Sequence, residues 1–260
     1  MKSPKFETAL ILIIGLGLIL PILIAITSGV FIAKGLRFEN VFFHFILELT
    51  GAVIALLLAG RLMLQKQKIP LTSLWIVCAF MRMGILDLVH SLTAPGNNFV
   101  WFHSLAVFFG GLFFSLTWIH SSKNSQNDKS LFRTILSITF LAISGIALLS
   151  WLYSKVVPLM AVNGNFTLFA NLLNIGGGIL FLVAAFYFIN EYSRINDWRI
   201  LILAILCSLF GAAGILFSFS VLWNINWWSW HVLRAAAYLF ALLYAVRYSA
   251  PANLLDGERK

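Results

Sequence analysis

The chain has 260 residues, of which 61% are hydrophobic and only 10% are charged. Soluble globular domains carry about 25% charged residues, so this composition excludes an ordinary soluble protein and is typical of an integral membrane protein. The net charge of +9 comes from basic residues spread over short polar segments. That distribution fits contact with lipid headgroups and does not indicate a nucleic-acid partner.

Apolar segments recur along the whole chain, each long enough for the roughly 20 helical residues that cross a bilayer. We expect an all-α, polytopic helical bundle of about eight transmembrane helices, forming a single membrane domain over residues 1–260. The first apolar segment is too long for the core of a signal peptide, so it is expected to remain as a helix. The expected spans are residues 9–33, 41–62, 71–92, 98–120, 131–152, 166–190, 199–221 and 227–248.

Basic residues predict how these helices are oriented. With the N-terminus inside, thirteen Lys and Arg residues fall in the inner segments, and only Lys34, Arg37 and Lys155 fall in the outer loops. This excess predicts that both termini are cytoplasmic. Six tryptophans near the outer ends are interpreted as an aromatic belt at the membrane surface. They are Trp101, Trp151, Trp223, Trp227, Trp228 and Trp230.

Four histidines are the most informative ionisable residues, because each lies just inside the outer end of a different expected span. They are His44, His90, His103 and His231. Ionisable side chains within a membrane are costly and usually mark a binding or transfer site. The alternating direction of the spans brings all four to one depth, which predicts a single site in the outer half of the bilayer.

Three charged residues, Glu48, Asp87 and Arg234, each lie three or four positions from one of these histidines. Residues at that spacing share a face of a helix. The four histidines and these three residues are therefore the predicted ligand-binding or metal-binding site.

Arg82, Asn171 and Asn174 are predicted to support the site. Arg82 lies five residues from Asp87, so it points about 140° away and is expected to reach another helix. The two asparagines are expected to form hydrogen bonds between helices. A purely structural alternative is that Glu48 and Asp87 neutralise Arg82 and Arg234, holding the helices together without a ligand.

The residue types in the cluster are compatible with several kinds of ligand. Imidazoles beside carboxylates suit zinc, copper or iron, for which the four histidines are the candidate ligands, and a histidine pair would suit haem b. Without a metal, the cluster would form a proton-responsive switch. A pocket of histidine, tryptophan and arginine also suits a quinone or another amphipathic small molecule.

Several short motifs resemble the MASE group of bacterial membrane-associated sensor domains, particularly its third class. They are residues 39–48 (ENVFFHFILE), 84–92 (GILDLVHSL), 96–101 (GNNFVW), 230–238 (WHVLRAAAY) and 251–255 (PANLL). The resemblance covers about residues 38–255. Six of the seven predicted site residues carry the match, whereas His103 lies within the range but outside the matching motifs.

This resemblance implies a sensory module in the bacterial inner membrane that signals to a cytoplasmic histidine kinase or diguanylate cyclase. The sequence departs from the pattern at Lys260, because no kinase or cyclase domain follows. We therefore expect a sensor that acts through a separate partner and is not itself an enzyme, with a homodimer left open. The alternative is an integral-membrane enzyme or redox protein that uses the same histidines with a metal or haem.

Overall fold

The computed structural model describes residues 36–64, 71–119 and 129–247, together with the isolated positions 8, 15 and 23. The first expected span, residues 9–33, lies outside the described residues apart from Gly15 and Leu23. His120 and the tail after Arg247 also lie outside them.

The described part of the chain forms an all-α, multi-pass membrane bundle. Seven of its helices are long and apolar enough to cross a membrane. This count is close to the expected eight, with the first span undescribed. The helices are α1 (Val41–Met63), α2 (Leu71–Leu92), α3 (Asn97–Ser115), α4 (Lys129–Leu152), α5 (Leu168–Ile195), α6 (Trp198–Phe217) and α7 (Ile225–Arg247).

Side chains at the helix ends explain several of these boundaries. The Asn40 side chain accepts a hydrogen bond from the Phe43 amide at 2.9 Å and so begins α1. The Thr167 hydroxyl caps α5 in the same way, because short polar side chains satisfy free amides at a helix start. Helix α5 ends at Asn196, whose left-handed backbone (φ 56°) stops the helix before α6 begins.

Six of the helices form a closed ring, in which α1, α2, α3, α5, α6 and α7 contact one another in that order and α7 returns to α1. Helix α4 packs outside the ring, mainly against α2. The interior of the ring is therefore enclosed by helices that are far apart in sequence.

Glycines allow the closest backbone approach within the ring. A Cβ atom added at Gly177 on α5 would lie only 2.6 Å from the carbonyl oxygen of Val107 on α3. A Cβ atom at Gly178 would lie 2.8 Å from the carbonyl oxygen of Gly211 on α6. Small residues commonly permit such contacts between membrane helices.

A short β-hairpin follows α4 at the outer end of the bundle. Strands β1 (Ala161–Val162) and β2 (Asn165–Phe166) pair antiparallel, and the Gly164 carbonyl accepts a hydrogen bond from the Leu222 amide at 3.0 Å. The expected span 166–190 thus begins inside a strand, because Phe166 pairs with Ala161 before Thr167 caps the helix.

The hairpin is fixed to the ring by further contacts. The Asn97 side chain donates to the Pro158 carbonyl at 2.8 Å and accepts from the Met160 amide at 2.6 Å. The ring of Phe166 stacks on that of Phe217, with centroids 4.0 Å apart. The hairpin is therefore part of the packed outer end of the bundle.

Candidate ligand-binding site

The seven residues predicted to form the site lie together inside the helical ring. Each is at most 2% exposed. Helix α1 contributes His44 and Glu48, α2 contributes Asp87 and His90, α3 contributes His103, and α7 contributes His231 and Arg234.

A pair of imidazoles from α1 and α7 occupies one side of the cluster. The Nε2 atoms of His44 and His231 lie 3.1 Å apart. The Oε1 atom of Glu48 lies 3.4 Å from the same Nε2 atom of His231. Three potential metal-ligand atoms from two helices therefore converge, at separations close to those between neighbouring ligands of one ion.

Hydrogen bonds to the backbone fix the protonation of two rings. The Nδ1 atom of His231 lies 2.8 Å from the Trp227 carbonyl oxygen, and the Nδ1 atom of His90 lies 2.7 Å from the Phe99 carbonyl oxygen. A carbonyl only accepts, so each Nδ1 carries the proton and each neutral ring presents the lone pair of Nε2. Metal-binding histidines are commonly oriented in this way.

Arg234 lies at the centre of the remaining contacts. Its Nη2 atom donates to Asp87 Oδ2 at 2.7 Å, and its Nη1 atom lies 3.3 Å from Glu48 Oε2. The same Nη1 atom is 2.5 Å from Nδ1 of His103. Because arginine only donates hydrogen bonds, His103 accepts at Nδ1 and carries its own proton on Nε2.

The cluster carries more negative than positive charge when its histidines are neutral and both of its carboxylates are ionised. Glu48 and Asp87 supply two carboxylates, and Arg234 is the one Lys or Arg side chain that forms ion pairs with them among the described residues. Buried charges need compensation, so this arrangement favours the binding of a further cation.

The donor atoms fall into two overlapping groups in which all atoms lie within 4.8 Å of one another. One group is His44, Glu48 and His231; the other is Glu48, His90 and His103. The Nη1 atom of Arg234 contacts both Glu48 and His103 of the second group. The hydrogen bond from Arg234 occupies the Nδ1 lone pair of His103 and leaves the ring proton on Nε2, so His103 offers no free lone pair and the first group is the better candidate metal site.

Tyr238 is a residue of the site that the sequence analysis missed. Its hydroxyl donates to Oδ2 of Asp87, the same oxygen that Arg234 contacts. Its ring packs against Gly51 on α1, where an added Cβ atom would lie 2.5 Å from the Tyr238 ring. The available signal was helical spacing, because Tyr238 lies four residues after Arg234 on the same face of α7.

The interpretation of six tryptophans as a surface belt was wrong for three of them. Trp223, Trp227 and Trp230 are each 1% exposed and surround the histidines, whereas Trp151 is 54% exposed. The ring centroid of His231 lies 3.6 Å from that of Trp230 and 3.9 Å from that of Trp227. These large apolar rings shield the cluster.

The three residues predicted to support the site have different roles. Arg82 reaches α3, as expected, and lies outside the cluster over the ring of Phe113 at 4.0 Å. The structure therefore does not bring Arg82 to Glu48 or Asp87. Asn174 links two helices by donating from Nδ2 to the Ser104 hydroxyl at 2.8 Å. For Asn171, the buried Oδ1 atom has no hydrogen-bond partner among the described residues.

Comparison with known proteins identifies a family. No curated protein and no solved structure matches the chain. The sequence model of the MASE3 family, described as a membrane-associated sensor domain, matches residues 37–249. The matched range covers every helix of the ring and includes the seven residues of the buried cluster. The chain therefore belongs to the MASE3 family of membrane-associated sensor domains.

Proposed function

We propose that this membrane sensor domain detects a divalent transition-metal ion, bound at the buried histidine cluster in the outer half of the bilayer. The observation that carries the proposal is the convergence of two imidazole Nε2 atoms, His44 and His231, 3.1 Å apart, with Glu48 Oε1 3.4 Å from His231. Imidazole nitrogen with a carboxylate oxygen is a common ligand set for zinc, copper and iron.

The charge of the cluster supports a cation as the ligand. Arg234 lies closer to Asp87, at 2.7 Å, than to Glu48, at 3.3 Å. Glu48 is thus the less fully compensated carboxylate, and it stands beside His231. His90 is the candidate fourth ligand, because its Nε2 atom has no hydrogen-bond partner among the described residues.

The same geometry favours a single ion over haem b. Two axial ligands at about 2 Å on opposite sides of one iron would place their nitrogens about 4 Å apart with a porphyrin between them. The observed 3.1 Å between His44 and His231 suits adjacent ligands of one ion instead.

Burial favours sensing over catalysis. A metal-dependent enzyme needs a position open to substrate or water, whereas each residue of this cluster is at most 2% exposed. A buried ion that joins α1 to α7 would instead change how these two helices pack, which is what a sensor requires.

Helix α7 is the proposed route of the signal to the cytoplasm. His231, Arg234 and Tyr238 lie along one face of it, and the helix continues to Arg247 at the end expected to be cytoplasmic. A movement at the ion would therefore reach a cytoplasmic kinase or cyclase through this single helix.

The test is metal binding by the full chain purified in detergent. After treatment with a chelator, Zn²⁺ titration by calorimetry should give one tight site, and Co²⁺ should give the visible absorption of nitrogen and oxygen coordination. His44→Ala should abolish both signals and keep the helical circular dichroism spectrum. His120→Ala is the matched control, because this fifth histidine lies seventeen residues after His103 in the sequence, at the opposite end of the same expected span.

Two outcomes would refute the proposal. One is a wild-type protein that binds none of Zn²⁺, Cu²⁺, Fe²⁺ and Co²⁺. The other is a folded His44→Ala variant that binds as tightly as the wild type.

A further inference from the structure

Arg82 is a charged, half-buried residue at mid-membrane depth, separate from the histidine cluster. It lies eleven residues after the first residue of α2 and ten before the last, about 16 Å from the cytoplasmic end. A long side chain reaches an interface only from near a helix end, so the guanidinium stays within the apolar layer.

The immediate surroundings of Arg82 compensate its charge only in part. Its guanidinium carbon lies 4.0 Å from the ring centroid of Phe113 and 5.0 Å from that of Phe109, both on α3. Among the described residues, its buried Nε atom has no hydrogen-bond partner, and no ion pair includes Arg82. Arginines inside membranes are almost always paired, so Arg82 is expected to bind a further acidic group beyond these contacts.

The expected spans of the sequence offer Arg82 no free carboxylate. Only Glu48 and Asp87 of its nine acidic residues lie inside the expected spans, and both pair with Arg234. Glu191, near the inner end of α5, pairs with Arg194 at 2.8 Å. The other six belong to the polar segments of the sequence. A second copy of this chain would therefore also lack a free acidic group to meet Arg82.

We propose that Arg82 binds a carboxylate on a transmembrane helix of a different polypeptide. The residue is partly exposed at the seam of α2 and α3, beside α4, which packs against both helices, so a further helix lying next to α4 could reach it. Charge complementarity would fix the partner's depth, and the faces of Phe109 and Phe113 would flank the acidic side chain. The proposal is independent of metal binding at the histidine cluster.

The probe is a synthetic apolar transmembrane peptide with one central Glu, compared with a twin that carries Gln. Both are labelled and reconstituted with the full chain in phosphatidylcholine vesicles, and association is followed by energy transfer. We expect the Glu peptide to bind at least tenfold more tightly than the Gln peptide. Arg82→Met should remove this preference, whereas Arg61→Met, at an exposed position on α1, should retain it.

Equal binding of the two peptides, or a preference that survives Arg82→Met, would overturn the proposal. Displacement of the Glu peptide by low amounts of oleate would assign Arg82 to a lipid carboxylate and also overturn it.

Thermal unfolding in detergent provides an independent measurement. Without its partner helix, the isolated chain should be stabilised by Arg82→Met, because the uncompensated charge is removed. A lower unfolding temperature would mean that Arg82 already has a partner within the chain and would contradict the proposal.

Discussion

Glu48 on α1 and Arg234 on α7 are separated by 186 residues, yet Glu48 Oε2 lies 3.3 Å from Arg234 Nη1. Arg234 also contacts Asp87 on α2 and His103 on α3. One guanidinium therefore connects four helices of the ring.

We expect Arg234→Met to destabilise the protein strongly. The substitution leaves two buried carboxylates without their cation, and breaking a buried pair in this way costs about 3–5 kcal/mol. Denaturant unfolding in mixed micelles would measure the loss. Arg61→Met is the control, because Arg61 is exposed and forms no ion pair among the described residues. An Arg234→Met variant as stable as this control would refute the central role of Arg234.

His103 and His44 should respond differently to alanine. His103 accepts from Arg234, so His103→Ala should lower stability by about 1–3 kcal/mol through the unsatisfied donor. His44→Ala should chiefly lower Zn²⁺ affinity. Unfolding and calorimetry of both variants would separate the two roles. Loss of Zn²⁺ binding in His103→Ala, with stability unchanged, would mean that His103 is a ligand.

Gly51→Ala should disturb the contact of α1 with Tyr238. The added Cβ atom would lie 2.5 Å from the Tyr238 ring, which is itself only 3% exposed, so overpacking should cost about 1–3 kcal/mol. Gly60→Ala on the same helix meets no atom within 4 Å and should be neutral or slightly stabilising. Equal unfolding temperatures for the two variants would contradict the described packing.

The run of three glycines on α5 offers a second matched pair. Gly177→Ala should push α5 away from α3, because its Cβ atom would lie 2.6 Å from the Val107 carbonyl oxygen. Gly176→Ala would place its Cβ atom 3.8 Å from the Phe108 ring, an ordinary contact. We expect Gly177→Ala to lose about 1–3 kcal/mol of stability and Gly176→Ala to lose little. Thermal unfolding of both variants would measure these losses. A larger loss for Gly176→Ala than for Gly177→Ala would contradict the close contact of α3 with α5.

Helical spacing and the alternating direction of the spans were sufficient to predict that the four histidines, Glu48, Asp87 and Arg234 lie together, but not that Tyr238 joins them. Each histidine and its neighbouring charge share a helix face, and alternating spans return them to one depth. The same geometry predicted that Arg82 points away from Asp87, because a spacing of five residues on a helix separates two side chains by about 140°.

Other features depend on contacts that no local pattern contains. The pairing of Arg234 with both Glu48 and Asp87 requires knowing that α7 closes the ring against α1 and α2. The carbonyl groups of Trp227 and Phe99 orient two histidines without any side-chain signal. Tryptophans near the end of a span give the same sequence pattern whether they face lipid or pack inward. The belt interpretation was therefore wrong for Trp223, Trp227 and Trp230.

The β-hairpin at the outer end has a kinetic consequence for the proposed ion. Phe166 of the hairpin stacks on Phe217, which in turn stacks on His103 with ring centroids 5.4 Å apart. An ion that enters from the outer side must wait for these aromatic contacts to open, because the cluster beneath is buried. Local opening, and not the coordination step, would then set the rate of exchange. Such a sensor would report the sustained presence of the metal and ignore brief changes in its concentration.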